Sequence, residues 1–262
     1  ETGTTDRIVS ISSVSDSTTA VGTYIVQSGD ISNALTVNSI GLSGGTLQDI
    51  AGNDMIFNIG TNLEASSAIV IDTTAPTITS ITSTTNNGSY KVGDPDINIT
   101  INFSESVTLI GSILVTLETG TTDRTVSISD FSNLTTTTGN YEIIAGDTTS
   151  ALTVKTIELV SGATLKDAAG NDISSFNIGT NLTASSSIII DTTAPTVTNI
   201  INNSTSTLAK AGVEVTLTIT ANEAISQPTV IFNSGNTSVT NSTIYSGSGT
   251  TWTAKYTVDT ND

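Results

Sequence analysis

The chain has 262 residues, of which 24 are acidic and only seven are basic, and its formal net charge is −17. This charge argues against a surface that binds nucleic acid or anionic lipid, because both require positive charge. Cysteine and histidine are absent, which excludes disulfides, thiolate and imidazole metal ligands, and cysteine or serine–histidine nucleophiles from this stretch. No apolar run approaches the length of about 18 residues that a membrane-spanning helix needs.

The sequence repeats itself at a long and nearly constant distance. Asp-Thr-Thr-Ala-Pro-Thr occurs at residues 72–77 and again at 191–196, a shift of 191 − 72 = 119. Residues 57–63 return unchanged at 176–182, and the first seven residues return at 118–124. Common solenoid repeats are about 20–50 residues long, so this period fits one whole domain per repeat. We therefore interpret the two Asp-Thr-Thr-Ala-Pro-Thr stretches, called the first and second joints, as domain boundaries stiffened by proline.

The two joints divide the chain into three pieces. Residues 72–190 form one complete repeat. Residues 1–71 match the C-terminal part of that repeat, and residues 191–262 match its N-terminal part in a diverged form. We expect the two end pieces to belong to a longer array of like domains, or to be completed by neighbouring copies.

The complete repeat is rich in residue types that favour strands and turns. Apolar and polar residues alternate along 97–103, as they do in a half-buried strand. The predicted strands cover residues 78–81, 97–103, 113–117, 126–128, 141–144, 152–159 and 186–190, with a register change near Lys155, a long loop over 162–177, and two strands in the last piece at 213–219 and 252–258. Seven short strands in about 120 residues predict an all-β fold of tandem immunoglobulin-like Greek-key β-sandwiches, one complete and two partial.

Acidic side chains recur at three places in the repeat. Asp72 opens the first joint, Glu105 follows the predicted strand 97–103, and Asp167 begins an Asp-Ala-Ala-Gly-Asn segment that ends at Asn171. If successive strands alternate in direction, Glu105 and Asp167 both follow strands that run towards the pole where the joint lies. We therefore expect these carboxylates and the Asn171 amide to converge beside the joint.

Carboxylates crowded in this way repel one another unless a positive charge lies between them. Oxygen ligands without histidine or cysteine favour calcium, which accepts about 6–8 oxygens, so the sequence predicts calcium-stiffened joints. A second interpretation stays open, because Asp, Asn and Gly also form tight turns without an ion. The predicted metal ligands, including equivalent positions in the other repeats, are Asp72, Glu105, Asp167, Asn171, Asp172, Asp191, Glu223, Asp49 and Asn53.

These motifs together resemble a known family. The joints, Phe-Ser-Glu at 103–105, Leu-Lys-Asp-Ala-Ala-Gly-Asn at 165–171 and Ser-Thr-Leu-Ala-Lys-Ala-Gly at 206–212 look like the bacterial immunoglobulin-like repeats of giant surface adhesins. The resemblance covers essentially the whole chain, and it implies secreted, cell-surface stalks of tandem β-sandwiches, often stiffened by calcium. The last repeat departs from the pattern, with Ala-Asn-Glu at 221–223 in place of Phe-Ser-Glu.

We therefore predict a structural spacer of an extracellular adhesin or surface fibre, with neighbouring repeats as its partners and no enzymatic activity. The alternative is a self-assembling filament subunit whose end pieces are completed by strands of other copies. A carbohydrate-binding module is less favoured, because sugar platforms use exposed aromatic residues and these make up only 4% of the chain. A glycosidase pair of Glu105 and Asp167 is disfavoured, because the acidic motifs recur at each joint.

Overall fold

Almost all the regular secondary structure of the described residues is β-strand, which confirms the predicted all-β class. The structure, a computed structural model, describes every residue except 1, 4, 12, 13, 16, 67, 203–207, 236, 240 and 241. It forms two compact units, residues 1–192 and 193–262, and the division falls within the second joint. The three-piece division and the immunoglobulin-like Greek-key topology stay predictions. The described helices are single turns of three residues, and none could cross a bilayer.

The regular elements of the first unit lie mostly in its second half. They are the 3₁₀ turns Leu63–Ala65 and Leu182–Ala184 and the strands β1 (Ile78–Thr82), β2 (Gly88–Tyr90), β3 (Ile97–Glu118), β4 (Arg124–Tyr141), β5 (Thr148–Thr149), β6 (Thr153–Leu159), β7 (Thr164–Asp167), β8 (Ile178–Thr180) and β9 (Ile188–Asp191). One sheet contains six of these strands, and β2, β9 and β5 form a second sheet of three. The arrangement is sandwich-like.

Strand β3 is the central strand of the six-stranded sheet. It pairs antiparallel with β4 along most of its length, with β1 near its start, and then with β7 and β6. Register shifts and Gly111, at φ 94°, mark the places where its partners change. The prediction of two separate strands at 97–103 and 113–117 is therefore wrong, because β4 stays paired with β3 across the irregular stretch.

Two smaller predictions have opposite outcomes. The register change near Lys155 is confirmed, since the pairing of β6 with β3 shifts between Thr116 and Leu117, opposite this residue. The long loop predicted over 162–177 is wrong in part, because β7 lies inside it. Only four residues of alternation are present in β7, which is too short to give a clear period-2 pattern.

The core of the first unit is built from the alternating apolar side chains of β3. Ile97, Ile99 and Ile101 are fully buried, whereas Asn98 and Thr100 between them are only half-buried. Removing each such isoleucine side chain from water contributes about 1.5–3 kcal/mol to folding. Burial of these alternating side chains thus sets the orientation of β3, and with it the direction in which the other residues of the strand point.

The partial copy in residues 1–71 repeats the local contacts of the complete copy. Asp147 is buried, and its carboxylate accepts hydrogen bonds from Arg124 Nε at 2.6 Å and from the Tyr141 hydroxyl at 2.7 Å. The equivalent trio is Asp30, Arg7 and Tyr24. The hydrogen bond from Arg7 is the main cause that lowers the pKa of Asp30 to about 2, and the one from Tyr24 adds to it.

The apolar side chains of this partial copy are more exposed than their counterparts. Ile11 is 50% exposed, whereas its counterpart Ile128 is 5% exposed. Val9 is 39% exposed and its counterpart Val126 is 5% exposed. In the complete copy these positions pair with β3, whereas no strand is assigned around Val9 and Ile11 among the described residues of 1–71. Val9 and Ile11 therefore lack the lateral packing that β3 gives Val126 and Ile128.

The second unit contains a four-stranded antiparallel sheet and a short hairpin. Its strands are β10 (Val197–Asn202), β11 (Glu214–Ala221), β12 (Asn233–Ser234), β13 (Thr237–Ser238), β14 (Ile244–Ser248) and β15 (Thr251–Thr257). The sheet order is β10-β11-β15-β14, and β11 and β15 confirm the strands predicted at 213–219 and 252–258. Trp252 is half-buried, and its indole N–H donates to the Ile225 carbonyl at 3.3 Å, so this aromatic residue packs within the unit.

Candidate metal centre

Three carboxylates meet beside the first joint. One carboxylate oxygen from each of Asp72, Glu105 and Asp167 lies within 4.8 Å of the other two. Asp167 is buried, and Asp72 and Glu105 are half-buried. The predicted convergence of these three residues is therefore a feature of the structure, whereas calcium binding by them stays a prediction.

The route by which Glu105 reaches the cluster differs from the predicted one. Glu105 lies inside β3, in the irregular stretch between Asn102 and Val107, and not at the end of a strand. Asp167 is the last residue of β7 and pairs directly with Val107. Direct pairing of β7 with β3 brings these carboxylates together, so the predicted position of Glu105 at the end of a strand is wrong.

Ser104 fastens the end of the first joint to β3. Its hydroxyl accepts a hydrogen bond from the Thr77 N–H at 3.0 Å, and its own N–H donates to the Thr77 carbonyl at 2.9 Å. In the second unit Asn222 makes the same two bonds with Thr196, at 2.6 and 3.0 Å. The sequence did not predict this role of Ser104, although both repeats place a hydrogen-bonding side chain directly before the glutamate.

Asn171 connects the Asp167 turn to the joint. Asp167 Oδ1 accepts from the backbone N–H groups of Gly170 at 2.7 Å and Asn171 at 2.8 Å. The Asn171 side-chain amide donates to Asp167 Oδ2 at 2.7 Å and to the Asp72 carbonyl at 3.1 Å. The predicted position of Asn171 in the cluster is thus observed, and its NH₂ group holds Asp167 and Asp72 in place.

The same turn forms in the partial copy without the cluster. Asp49 Oδ1 accepts from the N–H groups of Ala51 and Asn53 at 2.9 Å, and Asn53 Nδ2 donates to Asp49 Oδ2 at 2.8 Å. Both side chains are exposed. The side-chain hydrogen bond from Asn53 is the main cause that lowers the pKa of Asp49. The turn is therefore closed by its own amides in both copies, and the approach of Glu105 and Asp72 distinguishes the cluster.

The remaining predicted ligands lie elsewhere. Asp172 forms an ion pair with Lys166 at 3.0 Å and is mostly exposed, so the structure does not bring it into the cluster. Asp191 is the exposed last residue of β9. Glu223 follows β11 in the second unit, and its Oε1 is buried without a hydrogen-bond partner among the described residues. Within the described part of the chain, neither Asp191 nor Glu223 belongs to a group of three acidic side chains close enough to hold one metal ion.

The charge of the cluster is not balanced by the protein. In the part of the chain that the structure describes, no lysine or arginine forms an ion pair with Asp72, Glu105 or Asp167. Burial raises the pKa of Glu105, and the charges of Asp72 and Asp167 raise it further. A cation placed among the three oxygens would remove this repulsion.

The raised pKa of Glu105 predicts how the cation-free protein responds to pH. A carboxyl whose pKa is higher in the folded state binds its proton more tightly there, so stability rises as pH falls towards that pKa. In EDTA, we expect Glu105→Gln to melt at a higher temperature than the wild type at pH 7.5. This difference should shrink as the pH is lowered towards the raised pKa of Glu105, because the wild-type carboxyl becomes protonated. Parallel melting curves at all pH values would contradict the prediction.

No protein-family model matches this chain, and no curated protein matches its sequence.

Proposed function

We propose that the chain is part of a structural stalk in an extracellular adhesin or surface fibre. The stalk consists of tandem immunoglobulin-like β-sandwich modules, and calcium binds at the first joint between Asp72, Glu105 and Asp167. The observation that carries this proposal is the position of Glu105. Its half-buried carboxylate lies within 4.8 Å of two others, and none of the described residues donates a hydrogen bond to it.

The chemistry of the cluster fits calcium better than it fits a bare turn. The hydrogen bonds around Asp49 show that the Asp-x-x-Gly-Asn turn is satisfied by its own amides. Those amides do not reach Glu105, so a turn alone gives no reason for a third carboxylate at this place. Carboxylate oxygens are ligands that calcium accepts in flexible geometry, whereas magnesium demands a near-octahedral set.

A cation at this place would stiffen the chain between two repeats. Asp72 belongs to the joint, Glu105 to β3 and Asp167 to β7. One ion bound to all three would tie the joint to two strands of the following repeat. A rigid joint transmits force and orientation along an array, which is the property that a spacer needs.

Calcium is expected to stabilise the protein through these carboxylates. Extracellular calcium modules bind with a Kd of about 10⁻⁴ to 10⁻³ M, so 10 mM CaCl₂ should add about 2 kcal/mol to the free energy of unfolding. This corresponds to an increase of about 4–8 °C in melting temperature for a unit of this size. Calorimetry in EDTA and in CaCl₂ measures the increase. We expect it to be mostly lost in Glu105→Gln.

The matched control for this experiment is Asp172→Asn. Asp172 lies five residues from Asp167 and is paired with Lys166 at the surface, so its removal should leave the calcium-dependent increase unchanged. Equal increases in Glu105→Gln and the wild type would exclude Glu105 as a calcium ligand. Small-angle scattering of the same samples tests the stiffening, since EDTA should loosen the particle.

A second candidate function is a filament subunit that accepts strands from other copies. The exposure of Val9 and Ile11, whose counterparts lie on a strand paired with β3, favours it. A segment that lacks its paired strand can pair with a strand from another chain. Sedimentation of the samples described above separates the two functions, because a filament subunit forms larger species as its concentration rises and a spacer stays monomeric.

A further inference from the structure

The second residue of each joint is a threonine whose hydroxyl is bound on two sides. Thr73 Oγ1 accepts a hydrogen bond from the Gly29 N–H at 3.0 Å and donates to the Asp30 carbonyl at 3.0 Å. Thr192 makes the same pair of bonds with residues 146–147, at 3.0 and 2.9 Å. The arrangement therefore recurs at both joints, although serine and threonine are so common in this chain that the sequence gives no sign of it.

The turn that Thr73 contacts is a fixed part of the preceding copy. Asp30 is almost completely buried, and its carboxylate accepts hydrogen bonds from Arg7 Nε at 2.8 Å and from the Tyr24 hydroxyl. It also accepts a bond from the Gln27 N–H at 2.9 Å. The Thr73 hydroxyl thus binds the backbone of a residue whose own side chain is held by three donors.

The next residue towards the N-terminus of the joint is Asp72, which belongs to the carboxylate cluster. The joint that carries Asp72 is held at Thr73 by the turn at residues 29–30 and at Thr77 by the bonds with Ser104. A hydroxyl that accepts one bond and donates another orients the backbone on which it stands. Valine has nearly the same shape as threonine but can make neither bond, whereas serine keeps the hydroxyl.

We propose that Thr73 is a positioning residue of the cation site. Its hydroxyl holds the first joint against the turn at residues 29–30, and so places the Asp72 carboxylate beside Glu105 and Asp167. The preceding copy thereby contributes to a site whose ligands all lie in the joint and the following repeat. The inference rests on the proposed calcium site, but the orientation of the joint can be measured without any metal.

The first measurement is calcium affinity. Loss of a group that orients a metal ligand typically weakens metal binding by about 10–100-fold. We expect Thr73→Val to bind Ca²⁺ about tenfold more weakly than the wild type in titration calorimetry with CaCl₂, and Thr73→Ser to restore most of the affinity. Thr74→Val is the matched control, since the exposed Thr74 bonds through its backbone. If Thr73→Val fails to fold, Thr73→Ala removes the same hydroxyl without the second methyl group.

The second measurement is the distance across the joint in EDTA. The chain has no cysteine, so the substitutions Ser43→Cys and Thr121→Cys provide two unique sites for spin labels on exposed residues. We expect a narrow distance distribution in the wild type and in Thr73→Ser, and a broader one in Thr73→Val.

The outcomes separate the two proposals. Unchanged affinity in Thr73→Val, when the wild type binds Ca²⁺, overturns the role of Thr73 and leaves the site intact. Absence of binding by the wild type overturns the calcium site. The distance distribution then tests by itself whether the Thr73 hydroxyl orients the joint. A distribution as narrow in Thr73→Val as in the wild type overturns the proposal in either case.

Discussion

Replacement of Arg124 by alanine should destabilise the first unit by about 3 kcal/mol. Removing one partner of a buried ion pair typically costs about 3–5 kcal/mol, because the other charge stays buried without compensation. The Asp147 side chain is fully buried, and Arg124 Nε donates to it at 2.6 Å. We expect the low end of the range because the Arg124 side chain is 27% exposed, so water can enter the space that alanine leaves.

Urea denaturation followed by circular dichroism measures this loss. Lys155→Ala is the matched control, since Lys155 also pairs with an aspartate, Asp123, at 2.8 Å but is 52% exposed. Exposed pairs contribute about 0–1 kcal/mol, so this variant should unfold nearly as the wild type does. Similar losses in both variants would show that burial of Asp147 does not determine the strength of its pair.

The long alternating segments of the complete repeat were predictable, and the irregular ones were not. The first seven residues of β3, 97–103, alternate between buried and half-buried side chains, which is enough to separate a strand from a helix. The full extent of β3 depends on β4, which stays paired with it across the shifts near Val107. That pairing joins residues far apart in the chain, so no local pattern contains it.

The convergence of Asp72, Glu105 and Asp167 was predicted correctly, but the predicted position of Glu105 in its strand was wrong. Alternating strand directions predict Glu105 at the end of a strand, whereas Glu105 lies within β3. The convergence comes instead from the pairing of β7 with β3 next to Glu105. The contributions of Ser104 and Thr73 were not predictable in the same way. Their hydroxyl groups matter through the backbone groups that they meet, and the sequence surrounds them with many similar residues.

Replacement of Gly179 by alanine should destabilise the first unit by about 2 kcal/mol. Gly179 lies in β8, which pairs parallel with β1 at the edge of the six-stranded sheet. A Cβ atom at this position would lie 2.4 Å from the carbonyl oxygen of Thr79. Backbone atoms cannot rotate away as a side chain can, so β8 must move from β1. Forcing extra atoms into a packed position typically costs about 1–3 kcal/mol.

The repeat supplies a control with the same local sequence. Residues 57–63 and 176–182 are identical, and Gly60 is the counterpart of Gly179. A Cβ atom on Gly60 would have no atom within 4 Å, so Gly60→Ala should change the free energy of unfolding by less than about 1 kcal/mol. Denaturation of both variants in urea gives the comparison. Since the heptapeptides have the same propensities, a difference between the variants measures the contact with β1, and equal losses would place the effect in the backbone of the heptapeptide itself.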